Sequence, residues 1–279
     1  SMKRSSLKVG SKSARREAEE LGFRPSRGRG QNFLRDDGVA RQIVEFSKIG
    51  AEHTVLEIGP GMGALTGFLA ERVKRLILVE VEAALADELK RRYASSSNVT
   101  VIHGDILEID LKNLLQSVGP ATPQSLHVVS NLPYSISTEV CLKLFDSWAD
   151  VATATLMLQR EFAERLAAGP GGRDYGSITL RRELFCDVDS GFLVSPESFS
   201  PKPKVESRVI RLRFLPAPRL PAGMLAGFEK IVRKAFLKRR KTLLNAIEGT
   251  GDYTKPELAQ ILLELGIEAQ RRPETLSFA

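Results

Sequence analysis

The chain of 279 residues holds only two cysteines and three histidines, and it has no long apolar run. Cys141 and Cys186 lack a CxxC spacing and His or Cys neighbours, which argues against a disulfide framework or a structural zinc site and leaves both as expected core residues. No metal is therefore expected. His53, His103 and His127 stand in no Ser/His/Asp or Cys/His arrangement, so covalent nucleophilic catalysis is not indicated. A membrane span needs about 18 consecutive apolar residues, and a signal peptide needs an apolar core where this N-terminus carries charges. The expectation is a cytoplasmic protein with no membrane partner. Internal repeats and low-complexity tracts are also missing.

What is present is globular composition, with 42% hydrophobic residues and a formal charge of +7. The charge is uneven. Residues 1–35 carry 10 Lys/Arg against 3 Asp/Glu, residues 36–199 carry 15 against 23, and residues 200–279 carry 16 against 8. An acidic body between two basic ends suits a polyanion gripped at the ends while chemistry proceeds in the middle, although solvated basic faces would look the same.

Residues 1–30 are rich in Lys, Arg, Ser and Gly and read as a basic arm, with a short helix expected over Ala14–Leu21. A helix should begin near Asp36 or Asp37, with Val39, Ile43 and Phe46 facing inward. From Thr54 onward apolar runs alternate with amphipathic stretches, the pattern of a parallel sheet with crossover helices. Strands are expected at 54–58, 76–80, 99–102, 127–130 and 153–158, and Leu65, Phe68, Leu69 and Val73 form a helical stripe. Residues 192–194 and 207–214 should pair as antiparallel edge strands. The Pro-rich stretch 215–221 breaks regular structure, which divides the chain into an arm (1–30), a main domain (31–216) and a small helical domain (217–279). In the last, Leu225, Phe228, Ile231, Val232, Ala235 and Phe236 repeat at helical spacing, followed by a second apolar stretch at 243–247 and by a further helix expected at 256–265, stopped by Gly266.

The run Val55-Leu-Glu-Ile-Gly-Pro-Gly-Met-Gly63 is a strand entering a glycine-spaced turn, where missing Cβ atoms let backbone approach a ligand. Such a turn alone is a weak signal. Glu80 strengthens it, falling 21 residues after Gly59 at the end of the next strand, where a carboxylate can accept two ribose hydroxyls. No Lys-Ser/Thr follows the last glycine, which disfavours a nucleotide triphosphate. Glu57 would set negative charge near a pyrophosphate, so S-adenosylmethionine, with a sulfonium and no phosphate, fits better than a dinucleotide. Asp105, after the following strand, can accept from an adenine amine or cap the next turn.

Asn131-Leu-Pro-Tyr134 follows the fourth strand, again at the carboxyl edge. The lone pair of an adenine N6 is delocalised into its ring. The Asn131 oxygen together with a backbone carbonyl of Leu132 or Pro133 could accept both N6 hydrogens and localise that pair, while Tyr134 stacks on the base.

Six ordered segments then resemble the KsgA family of ribosomal RNA adenine dimethyltransferases: Gly30–Leu34, Glu57–Gly61, Asn131–Thr138, Tyr175–Ser177, Phe199–Ser207 and Ala235–Thr242. The likeness spans residues 28–279. It implies an α/β fold, a Rossmann-like class I methyltransferase sheet, mostly parallel with an antiparallel edge, carrying a small C-terminal α-helical domain. It also implies dimethylation of N6 on two adjacent adenines in the 3′-terminal hairpin loop of small-subunit rRNA, by a monomer that also serves small-subunit biogenesis. By resemblance, Asn32, Leu34, Gly59, Glu80, Asp105 and Asn131 hold the cofactor. Asn131, Pro133, Tyr134 and Phe199 form the catalytic group, Phe199 being the stacking wall opposite Tyr134. An Erm-type large-subunit rRNA methyltransferase and a non-catalytic rRNA-binding assembly factor are the competing readings.

Overall fold

A computed structural model describes residues 32–119, 122–238, 240–251 and 253–278. The arm at 1–30 with its expected helix, and Gln31 and Arg239, lie outside the described residues.

Strand β1 (Phe33–Leu34) leads into helix α1 (Asp37–Phe46), whose first amides are capped by the Asp36 carboxylate, which accepts from Gly38 N at 2.9 Å and Val39 N at 3.1 Å. Then follow β2 (Thr54–Ile58), α2 (Thr66–Ala70), β3 (Arg75–Glu80), α3 (Ala83–Arg92), β4 (Val99–His103), α4 (Leu111–Ser117), β5 (Leu126–Asn131), α5 (Ser137–Asp146) and β6 (Val151–Gln159). This is the alternation that the apolar runs announce. The continuous burial of β2 and β3 reflects strands covered on both faces. Helices α6 (Arg160–Ala167) and α7 (Ser177–Phe185) precede β7 (Cys186–Val194), the short β8 (Phe199–Ser200) and β9 (Ser207–Phe214).

The seven-stranded sheet has the order β4-β3-β2-β5-β6-β9-β7, parallel from β4 to β6, with β9 antiparallel to both β6 and β7. Two expectations need correcting. Residues 207–214 are not an edge, because β9 inserts between β6 and β7, and the edge strand begins at Cys186 rather than at 192. The polar Asp187 and Asp189 hid the strand from an apolar-run reading; they bond Arg219 and Arg213 and keep the sheet edge charged. The stripe from Leu65 to Val73 yields only the five-residue α2, though Leu65, Leu69 and Val73 are buried as expected.

One core packs residues of α1, α2 and α3 on one face of the sheet, and a second packs α4, α5, α6 and α7 on the other. The strand order runs outward from β2 to β4 on one side and from β5 to β6 on the other. A crevice therefore opens beyond the carboxyl ends of β2 and β5, where helices leave in opposite directions.

Helices α8 (Ala222–Leu237), α9 (Leu243–Ile247) and α10 (Lys255–Glu264) follow the Pro-rich stretch. Ala235, Leu243, Ile247, Leu258 and Leu262 form a small core of their own, while Leu225, Phe228 and Phe278 pack back on the sheet body. An ion pair from Arg181 to Glu229, 2.7 Å, ties α7 to α8.

Candidate functional site

At the carboxyl end of β2 the chain turns through Gly59 and Gly61, with φ of +60° and +57°, a region that side chains disfavour. A Cβ on Gly61 would lie 2.8 Å from the Phe33 ring. Its absence lets β1 lie across the turn as a strap, closed from the far side by antiparallel pairing with β8, Phe33 opposite Ser200 and Leu34 opposite Phe199.

Under the strap is a cavity of about 340 Å³, within the range of small-molecule sites. Asn32, Leu34, Gly59, Glu80, Asp105 and Asn131 all contribute to its wall, as do Pro133 and Tyr134. Glu80 is 3% exposed, and its two oxygens are aimed by backbone: Oε2 accepts from Gly61 N and Oε1 from Glu82 N, each at 3.0 Å. Burial raises its pKa, against the pull of those amides. Each oxygen keeps a second lone pair, enough for a vicinal diol. Asp105 Oδ1 accepts from Leu107 N at 2.8 Å, so the expected cap of the next turn is made, and Oδ2 has no partner among the described residues.

Asn131 ends β5. Its Nδ2 donates to Asn32 O at 3.1 Å. Ile136 N (3.2 Å) and Ser137 Oγ (3.1 Å) both donate to the Pro133 carbonyl, and Tyr134 Oη is 2.6 Å from Ser207 Oγ, so the turn after Asn131 is braced at two points. A sheet crevice with a diol acceptor, a second carboxylate and an amide held at one rim can seat a nucleoside-type ligand beside an amine. A family model for ribosomal RNA adenine dimethylases matches residues 23–279.

The chain belongs to the ribosomal RNA adenine dimethylase family. It is 42% identical over 258 residues to the ribosomal RNA small subunit methyltransferase A of Geobacter sulfurreducens, covering 92% of each chain. It is 38% identical to the protein of that name from Clostridium acetobutylicum, covering 93% of this chain and 92% of the relative. Among solved structures it resembles a dimethyladenosine transferase from Plasmodium falciparum, with TM-score 0.75 and 26% identity over 88% of this chain and 93% of that one. The 23S rRNA methyltransferase ErmE shares the fold, with TM-score 0.69 at 24% identity, covering 88% of this chain and 95% of that one. As a member of this family the protein is a methyltransferase.

Three readings of the dimethylase site change with the structure. Phe199 is not among the cavity walls: it is 4% exposed and packs with Leu34, Val129, Met157, Val194 and Val209. Burying a Phe is worth about 1.5–3 kcal/mol, so turning the ring out of this cluster toward a base would cost on that order. Burial shifts Glu57 toward its neutral form, which weakens the charge argument against a pyrophosphate. Burial pushes its carboxyl up to about 8, helped by Glu80 and opposed by Thr66, whose Oγ1 donates to Glu57 Oε2 at 2.7 Å. The stronger argument is geometric, because the Gly61 amide that would cradle a phosphate is committed to Glu80. Pro133 O already accepts two hydrogen bonds, which leaves the Leu132 carbonyl as the better-placed second acceptor.

Phe33, Thr66 and Ser207 escaped the sequence reading as site residues. The only hint for Thr66 was a hydroxyl within an apolar stripe, while Phe33 and Ser207 lay inside segments that carry the resemblance but had no role of their own.

The Glu57 shift has a measurable consequence. The folded protein keeps a proton between about pH 4.5 and about pH 8 that the unfolded chain releases, so this group's contribution to stability is lost as pH rises through that window. Glu57→Gln should raise the thermal midpoint above about pH 8 and change it little near pH 5, with each kcal/mol recovered worth roughly 2–4 °C. Equal midpoints at high pH would show that the carboxyl is not held protonated.

Proposed function

We propose that the protein dimethylates N6 of two adjacent adenines in the 3′-terminal hairpin loop of small-subunit rRNA, with S-adenosylmethionine as donor, as a cytoplasmic monomer serving small-subunit assembly. The observation that carries this reading is the placement of Asn131-Leu132-Pro133-Tyr134 on the rim of the cavity that Glu80 and Asp105 line. The small-subunit target is supported by the curated relatives.

The residues present fit the donor. Glu80 would accept its ribose hydroxyls on the lone pairs that Gly61 and Glu82 leave, and Asp105 Oδ2 its adenine amine, with Asn32, Leu34 and Gly59 closing the cavity around it. When bound, S-adenosylmethionine supplies a methyl group made electrophilic by its sulfonium. Asn131 Oδ1 and Leu132 O accept the two N6 hydrogens of the target, turning the nitrogen lone pair out of the ring plane. After one methylation a single N–H remains, so one acceptor suffices for the second. No general base is needed, since the methylated amine loses its extra proton to solvent. Tyr134, its hydroxyl anchored on Ser207, offers its ring to the base, and Phe199 serves as the opposite wall only after leaving its core position.

Lys238, Arg240 and Lys241 are exposed after α8 and, with Arg239 in sequence, form a basic run that would meet rRNA phosphates. Neutralising all four should flatten the salt dependence of rRNA binding by a slope of about 0.7 per lost phosphate contact on single strands. An unchanged slope would make the run a solvated face.

The function itself is tested by incubating the protein with labelled donor and either unmethylated small subunits or large-subunit rRNA, followed by nucleoside analysis. N6,N6-dimethyladenosine in the small-subunit sample is expected. Label confined to large-subunit rRNA would overturn the reading in favour of an Erm-type activity, and no label in either would favour a binding factor.

A further inference from the structure

A side-chain amide can be turned by 180° with almost no change of shape, and only one of its two orientations presents oxygen to an amine. Asn131 sits at a half-open rim where packing alone does not choose between them. The nearest choosing group is the backbone carbonyl of Asn32, 3.1 Å from Nδ2. In the flipped orientation two oxygens would face each other at that distance, with no hydrogen between them. The carbonyl can make this selection only if it is itself held, and it is held from several sides. Phe33 and Leu34 pair with Ser200 and Phe199, Arg35 N donates to Ser198 O at 2.8 Å, and the Phe33 ring rests where Gly61 has no Cβ. Leu34 is buried against Phe199 in the core.

We propose that the Asn32 backbone carbonyl selects the orientation of the Asn131 amide, so that the β1 strap is a positioning element for methyl transfer as well as a wall of the cofactor cavity. This rests on the reading of Asn131 Oδ1 as an acceptor for the target amine. The strap thus joins donor and acceptor chemistry: the segment that closes over the donor also turns the acceptor oxygen toward the base. An empty or opened strap leaves Asn131 free to flip, which ties amine activation to a closed donor site.

Asn131→Asp separates the two roles because it keeps an acceptor oxygen and the same shape but replaces the donor to Asn32. Ionised, the introduced carboxylate meets the Asn32 carbonyl with a second oxygen. Protonated, it donates O–H to that carbonyl and offers its own carbonyl to the amine. Single-turnover rates at saturating donor, measured on unmethylated small subunits from about pH 5.5 to 8.5, therefore give a signature that a structural role does not. Glu57, Glu80, Asp105 and Tyr134 line the same cavity in the parent, so the variant-to-parent ratio at each pH removes their contribution. The ratio is expected below about 1% at the alkaline end and rising about tenfold per pH unit toward acid while the carboxyl is ionised. Asn131→Ala, measured alongside, should stay low throughout. A flat ratio for the Asp variant, whether high or low, overturns the proposal. Parent-like rates from the Ala variant would instead overturn the acceptor reading beneath it. A second variant leaves Asn131 untouched: Arg35→Pro removes the amide that donates to Ser198 O and suits the extended residue before it. It should lower the rate at saturating donor about tenfold, comparable to one hydrogen bond's worth of positioning, and an unchanged rate again overturns the proposal.

Discussion

Asn131→Ala is expected to lower the methyl-transfer rate by about 10²–10³-fold, the usual cost of losing one preorganised hydrogen-bonding group aimed at a reacting centre. Its affinity for rRNA should change by less than about threefold, because in the proposed role the side chain would meet a base amine and not a phosphate. The split arises because acceptance of an N6 hydrogen matters most as the nitrogen lone pair leaves the ring, in the transition state and not in the ground-state complex. Truncation also removes the Asn131 donor from the Asn32 carbonyl, which lies at the cavity rim, where water can replace that donor. Rapid-mix methyl transfer and equilibrium rRNA binding on the same preparation decide the matter. Equal turnover by variant and parent would remove Asn131 from the mechanism.

Glu80→Ala should weaken donor binding by about 10²-fold or more. A hydrogen bond to a charged group is worth roughly 1.5–3 kcal/mol, and the carboxylate offers two toward a ribose. The same change strips Gly61 N and Glu82 N of their acceptor, so the glycine turn also loses its brace and the thermal midpoint should fall. Glu80→Gln is the informative companion. One amide oxygen can serve one of the two backbone amides, while its NH2 confronts the other, so Gln should recover only part of the affinity. Calorimetric titration with the donor and thermal melts of both variants test this. An unchanged dissociation constant for the Ala variant would place the ribose elsewhere.

Much of the fold was legible because its signals are short-range. Strand β2 matches its expected bounds, and β3, β4, β5 and β6 differ by one or two residues at an end, since strands of a parallel sheet are written as short runs rich in apolar and β-branched residues. The Asp36 cap and the positive φ of Gly266 after α10 were readable for the same reason, whereas the apolar stretch 243–247 did not by itself mark α9 as a helix. The edge strand β7 was read short because its charged residues hide it, and β1 and β8 were missed because two-residue strands have no period. In the site, Gly59, Glu80, Asp105 and Asn131 stood out as polar or glycine residues at or just beyond strand ends, which the crossover topology gathers at one rim.

By itself the sequence determined the alternation of strands and helices, the carboxyl-edge position of the cofactor and target residues, and the family. The alternation depends on residue types within some ten positions of one another, and the rest on the spacing and order of short motifs along the chain. Tertiary structure alone decided that Asn32, 99 positions from Asn131, supplies the carbonyl beside its amide, and that Ser207, 73 positions from Tyr134, anchors the phenol. It also decided that burial raises the Glu57 pKa and that Phe199 lies in the core. The reason is common to all four: hydrogen-bond pairing across the chain and the cost of removing a charge or a ring from water depend on what surrounds a group in space, and a linear string does not record that.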